Sequence, residues 1–380
     1  MAAWAFRGDL VALSAGPGAA GRVALSVATK RDVEELPPFQ RARARFGNGV
    51  QLVAFATQKG AGQVDPEWAE RFPASALGLS VGASGVTLDA YLGLDATATT
   101  ALQPFRLEPD AGEAMGWIAP DALLAGRLTA DLARAWALWK EAGRPGPLEA
   151  LDAQLVARGL DGGALLRLLG TDYVFYLELA KSPNLARMPS LDPRRTNPFE
   201  YVRLTVLCRL RDAEALRAHL PAVAEALAPV LRARIEAGEI EGTPVWTVHY
   251  RLGEGMTFGV VGDTLVVTGG AGAFADARRR VLHPETAFAA SLDDRTRRRL
   301  AEEGSLAVVL HVPNARRILA GLDASAFGGG PGGIMIKSAV DRLVAPLEKV
   351  RVVTGVAEAE TGGVGLRVDL AFTAAAPSTP

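Results

Sequence analysis

The chain has 380 residues, with 41 Lys+Arg against 42 Asp+Glu and a single cysteine. At about 150 residues per domain, that length predicts two or three domains. The near-zero net charge excludes general nucleic-acid binding, which rests on excess positive charge, and the lone Cys208 excludes an intrachain disulfide and a Cys-rich metal site.

No stretch reaches about 18 consecutive apolar residues, so the sequence predicts no membrane-spanning helix. Met1 is followed by Ala2-Ala3-Trp4-Ala5-Phe6-Arg7, with neither a basic nor an apolar leader region, so no signal peptide is predicted there. Along the chain, Leu128, Leu132, Ala135, Trp136 and Trp139 fall on one helical stripe, with Arg127, Asp131, Arg134 and Lys140 off it. Tyr173 to Leu179 alternates as a strand. So does the run from Tyr201 to Leu210, with Val202, Leu204, Val206 and Cys208 on its apolar face. Asp212 stands at an N-cap position ahead of Leu216, Leu220, Val223, Leu227 and Leu231. Pro221 and Pro229 predict that this helix breaks in two, and Gly238 predicts its end. Val245 to Tyr250 is a further strand, and Met256–Val261 and Thr264–Thr268 flank a Gly262-Asp263 hairpin turn. Asp293 and Asp294 open a short helix, as the helix dipole favours. Leu306–Val312, Val350–Val356 and Gly365–Phe372 complete the strands, and the Gly/Pro-rich run Ala326–Gly333 reads as a mobile loop.

The chain resembles itself in three places, in the same order. Residues 5–16 resemble 259–270, with Gly8-Asp9 over Gly262-Asp263. Gly49–Phe55 resembles Gly304–Leu310, and Gly85–Leu92 resembles Gly363–Leu370. This pattern predicts an α+β fold of antiparallel, meander-rich sheets packed by helices. It is an internal duplication with the first repeat, 1–108, truncated and the second, 109–380, complete. A strand at Phe6 without the neighbours its counterpart has would leave backbone groups unpaired. The expectation is therefore that Met1 is not the native start.

The second copy resembles a bacterial family of exported or membrane-anchored proteins known as a domain of unknown function. The resemblance rests on Ile118-Ala119-Pro120-Asp121-Ala122-Leu123, on Val202–Leu210 followed by Asp212-Ala213-Glu214-Ala215-Leu216, on Phe258–Thr268, and on Ser291-Leu292. It covers about residues 115–320. It implies an α+β fold with duplicated halves and a cell-envelope location, and it brings no catalytic residues.

The chemistry-bearing motifs are few. Gly16-Pro17-Gly18-Ala19-Ala20-Gly21 and Gly270-Ala271-Gly272-Ala273-Phe274-Ala275 match a dinucleotide loop. That loop needs a parallel βαβ unit and an acid ending the next strand, and neither Glu34-Glu35 nor Asp293-Asp294 sits there. Gly78-Leu79-Ser80-Val81-Gly82 matches a nucleophile elbow, yet Ser80 lies in an alternating run rather than a strand–turn–helix. Lys337-Ser338 follows Ile336, not the glycine a phosphate loop requires. His219, His249, His283 and His311 have no metal-ligand spacing, and Cys208 reads as an inert buried thiol. The clusters Arg278–Arg280 and Arg295, Arg297–Arg299 read as solvated helix faces, with an anionic lipid surface as the alternative. Trp117, Trp136 and Trp139 are the candidate lining of an apolar ligand cavity. The expected function is a non-enzymatic envelope binding or scaffold protein, with a lipid or an envelope protein as partner and no cofactor. An enzyme using Ser80 or the Gly270 loop is the competing reading.

Overall fold

The computed structural model describes residues 2–7, 10–15, 40, 44, 46, 50–57, 74–110, 113–143, 146–180, 197–250 and 253–373. In chain order the strands are β1 (Ala2–Arg7), β2 (Leu10–Ala15), β3 (Leu52–Thr57), β4 (Ala74–Gly82), β5 (Gly85–Gly93), β6 (Leu124–Thr129), β7 (Leu169–Leu179) and β8 (Val202–Leu210). They continue as β9 (Arg234–Ile240), β10 (Thr243–Tyr250), β11 (Gly253–Val261), β12 (Thr264–Gly269), β13 (Leu306–His311), β14 (Val350–Glu360) and β15 (Gly363–Phe372). The α-helices are α1 (Ala96–Ala101), α2 (Leu132–Glu141), α3 (Pro147–Val156), α4 (Gly162–Arg167) and α5 (Ala213–Leu231). After these come α6 (Ala273–Leu282), α7 (Ala287–Ser291), α8 (Asp294–Glu302), α9 (Val312–Gly321) and α10 (Gly330–Val344). Helices and antiparallel strands coexist in segregated layers, so the fold class is α+β.

The chain divides into two compact units. One is Met1–Gln103 with Thr354–Pro380, and the other is Pro104–Val353. Residues 354–380, which the sequence groups with 109–353, thus lie with the N-terminal unit. The loop at Gly16–Gly21 and the Gly8-Asp9 turn fall outside the described residues.

In the first unit the strands run in the order β3-β4-β5-β15-β14, with β1 and β2 pairing as a separate antiparallel hairpin. β5 and β15 are antiparallel, with Asp89 directly opposite Arg367. The Arg367 Nε lies 2.6 Å from the buried Asp89 Oδ1, and Thr87 Oγ1 donates to Asp369 Oδ1 at 2.5 Å. Ser80 sits on β4 opposite Thr87 of β5, inside a regular hairpin.

In the second unit the order is β13-β6-β7-β8-β12-β11-β10-β9. Its two faces differ. A single cross-strand row runs Ala307, Arg127, Val174, Leu207, Val266, Gly259, Val245 over seven strands. Every member is buried. Helix α6 closes over this row, and Phe274 approaches so near Gly259 that a β-carbon there would meet its ring at 3.2 Å. Because side chains alternate across a strand, the next residues along, Phe258, Leu265 and Val267, point to the opposite face, where α5 packs.

The charge in the middle of that apolar row is Arg127. The helical stripe expected to begin at Leu128 starts only at Leu132, behind the N-cap Asp131, and Arg127 is a strand residue with no exposed surface. Its Nε donates to Leu300 O at 2.9 Å, and its Nη2 donates to Glu303 O at 2.7 Å and Gly304 O at 2.9 Å. A cation at a helix C-terminus satisfies carbonyls that have no intrahelical partner and complements the dipole. Thr129 and Asp172 complete its surroundings.

Two further expectations are corrected. The break at Pro221 and Pro229 does not occur: α5 is one helix of 19 residues. Both prolines are exposed, as are Arg217 and Glu225, the residues one turn earlier whose helical bonds the prolines remove, so these positions lie on the solvent side of the helix. The buried stripe Leu216, Leu220, Ala224 holds the helix together across them. Gly238 does not end it; Arg232 does, in a left-handed conformation, and Gly238 is in β9. Nor is Ala326–Gly333 an open loop. Asp323 caps a 3-10 turn at Ala324–Phe327, and three left-handed glycines, Gly328 to Gly330, lead directly into α10.

Arg127→Met keeps the volume of the side chain but leaves three helix-end carbonyls without their donor and Asp172 without its buried cation. The expected loss is about 3–5 kcal/mol of stability, read from the midpoint of urea unfolding.

Candidate functional site

Helix α5 begins at Asp212, whose carboxylate accepts from the Ala215 N–H at 2.9 Å. From there Leu216, Leu220, Val223, Leu227 and Leu231 recur at helical spacing and face the sheet. The floor beneath them is Val248, Phe258, Met256, Leu265 and Val267 of β10, β11 and β12. Trp136 of α2, Leu155 of α3, and Gly162, Leu165 and Leu166 of α4 form the side wall. The space between them is about 360 Å³, open on one side, and its accessible lining is apolar. Many of these walls, including Leu165, Leu166, Val223, Leu227, Leu265 and Val267, are only half-buried. The same sheet that is sealed under α6 therefore leaves an apolar hollow under α5.

The three tryptophans are not one site. Trp136 lines the hollow, and Trp139 packs beside it with ring centroids 5.1 Å apart. The Trp136 ring lies flat on Gly162, where a β-carbon would come within 2.7 Å of it. Trp117 sits in a separate groove of about 940 Å³ with charged rims. There the Arg209 guanidinium lies 5.8 Å from its ring centroid and pairs with Glu113 at 2.8 Å. The leucines of α4 and Leu169 carry no sequence reading of their own. Their signal is density: Leu165, Leu166, Leu168 and Leu169 are more apolar residues than a short helix with one face can bury.

The other candidates are occupied by structural work. The Gly270–Gly272 turn follows β12, which is antiparallel to both neighbours, so the dinucleotide geometry is absent. Arg203 lies against that turn, its Nη2 2.5 Å from Asp276 in the first turn of α6. Ser291 and His311 touch at 3.3 Å between Oγ and Nε2. However, His311 Nδ1 accepts the Asn314 N–H at 3.2 Å as the N-cap of α9. The neutral ring's proton is then on Nε2, pointing at Ser291, whose own hydroxyl donates to Phe288 O at 2.6 Å. That arrangement cannot remove a proton from the serine. Burial, with Arg317 and Arg351 nearby, also lowers the His311 pKa. Cys208 is a buried free thiol whose pKa burial raises to about 11. Among the described residues no group of three His, Cys, Asp or Glu is placed to hold a metal ion. The Ile118–Leu123 phrase is a structural corner with Ile118, Ala119 and Ala122 buried and Pro120 and Asp121 exposed: Asn314 Nδ2 donates to Pro120 O and Ala122 O at 2.9 and 3.0 Å.

The arginine clusters divide. Arg278 pairs with Glu241 and Arg297 with Asp294 at the surface, but Arg299 is buried and Arg280 reaches inward. Arg280 donates to Tyr176 Oη at 2.8 Å and lies 3.5 Å from Glu178, which stands opposite Arg203 between β7 and β8. Burial lifts the Glu178 pKa to about 7; Arg280 and Arg203 oppose the rise, and the hydrogen-bonded Asp121 carboxyl adds to it.

A carboxyl with a raised native pKa stabilises the fold most in its protonated state. The Glu178 contribution is complete below its ordinary value of 4.5 and is lost as the pH rises through about 7. Glu178→Gln should remove this dependence, so that the fall in melting temperature between pH 5 and 8 is smaller than in the parent chain. An unchanged pH profile would contradict the assignment.

No protein-family model, curated protein or solved structure matches the chain, and the functional reading rests on this geometry.

Proposed function

We propose that the chain is a non-enzymatic binding protein of the cell envelope that holds an apolar ligand, such as a lipid acyl chain, between α5 and the sheet. The observation that carries this reading is the wholly apolar hollow of about 360 Å³. Small-molecule sites run from about 300 to 1,000 Å³ and are mostly apolar. Hydrocarbon entering this one loses no hydrogen bond and gains about 25 cal/mol per Å² of buried apolar surface. The half-buried leucines are in turn covered. The envelope location rests on the resemblance carried by Ile118–Leu123 and Phe258–Thr268.

We also infer an internal duplication. Hairpin β1/β2, strand β3 and hairpin β4/β5 are matched in order by hairpin β11/β12, strand β13 and the pair β14/β15. In the first unit, β4-β5 lie against β15-β14 in mirrored order, and the repeat-equivalent positions Asp89 and Arg367 face each other at the centre. A two-fold relation between copies produces that register.

Native mass spectrometry of gently purified protein should show a co-purifying lipid-sized adduct, and a fluorescent acyl probe should bind with one-to-one stoichiometry. Val223→Trp fills the hollow from the helix side. It should weaken probe binding by about tenfold or more while the far-UV spectrum is unchanged. Equal probe affinity in the parent chain and in this variant would remove the cavity from consideration.

A further inference from the structure

Three exposed large apolar side chains, among them the two most exposed of the described residues, stand consecutively, far from the hollow in sequence. They are Ile334 (62% exposed), Met335 (75%) and Ile336 (49%) in the second turn of α10, directly after its glycine-rich start. We propose that this turn inserts into an anionic phospholipid bilayer and docks the protein on a membrane surface.

The geometry supports a surrounding medium rather than a groove. At 100° per residue, three consecutive positions fan over most of the helix circumference. The remaining direction is the inward one, occupied by Gly333, Lys337, Val340 and Val344, which among the described side chains of α10 are the buried or half-buried ones. A protein groove covers one face of a helix, whereas only a medium that closes around the tip covers all three side chains. The tip is also held firmly. Gly333 sits so close to the 3-10 turn that a β-carbon would meet Ala324 O at 2.5 Å, and Phe327 of that turn is buried. The approach through Gly328–Gly333 carries no side chain except Pro331, so nothing bulky or charged stands beside the apolar residues. The next turn outward, with Ser338, Asp341 and Arg342, is exposed and small or polar, which sets a depth of about one helical turn.

Charge favours an anionic surface. From Val312 to Lys349 there are five basic residues, Arg316, Arg317, Lys337, Arg342 and Lys349, against the acids Asp323, Asp341 and Glu348. The chain as a whole carries −1. Of these, Lys337 and Arg342 stand within two turns of the apolar residues on α10, where they lie at headgroup level when the turn is buried; Lys337 also pairs with Asp341, and Arg316 with Glu348.

The test is flotation of the full chain with vesicles of phosphatidylcholine alone or mixed with phosphatidylglycerol. The parent chain should float with the mixed vesicles, less so at high salt. The triple variant Ile334→Ser, Met335→Ser, Ile336→Ser should lose binding by about tenfold or more. All three side chains are exposed, so its melting temperature should match the parent's. Met335→Trp, which keeps the tip apolar, should shift its emission to the blue on mixed vesicles. Val223→Trp should float like the parent, separating this surface from the ligand cavity. Three results would overturn the proposal. The parent chain could fail to float, or the triple variant could float equally. Or self-association in analytical ultracentrifugation could disappear in the triple variant without any vesicle binding, assigning the tip to a second copy.

Discussion

A guanidinium with no exposed surface stands in the middle of an apolar row that crosses seven strands. Arg127 tolerates that place because the C-terminal end of α8 delivers three carbonyls to it. The constraint works in both directions. The arginine needs the helix end, since a buried cation without partners costs several kcal/mol. The helix end needs the arginine, since its last carbonyls otherwise face a dry sheet. The position of α8 on the sheet follows from this pair, and with it the closure of one whole face by α6, α7 and α8.

Sealing one face changes what the other can do. The α6 side supplies a continuous dry core of Val174, Leu207, Val266 and Val309. Helix α5 is then not required to press every leucine onto the sheet. An unfilled apolar hollow forfeits dispersion contacts and costs stability. A fold that carries one next to a well-packed face concentrates its imperfect packing on a single side of the sheet. The buried cluster of Glu178, Arg280, Tyr176 and Arg203 belongs to the sealed side, where it ties α6 to β7 and β8.

Most strands were legible because alternation is a local signal. Val202 to Leu210 and the Gly262-Asp263 hairpin lie where the pattern puts them. The N-caps Asp212 and Asp293 were legible for the same reason. Elsewhere the outcome depended on partners distant in sequence. Arg127 reads as a polar helix position until the carbonyls of residues 300 to 304 come to it. Pro221 and Pro229 read as breaks until both prove to lie on the exposed side of one helix. Of the tryptophans, Trp136 and Trp139 share a helix stripe and meet, whereas Trp117 precedes β6 and lies in another groove. The hollow is a negative space between α4, α5 and the sheet, and no single segment encodes it.

The Asp89–Arg367 pair has a bearing on how the chain meets copies of itself. β5 offers a regular strand, and an antiparallel β5 from a second molecule in the same register would set Asp89 against Asp89. Directly opposed like charges repel, and here the carboxylates would be buried. With β15 the same site holds a 2.6 Å ion pair. The choice of an acid on one strand and a base on the other thus favours β15 over a second β5 as the partner of this strand.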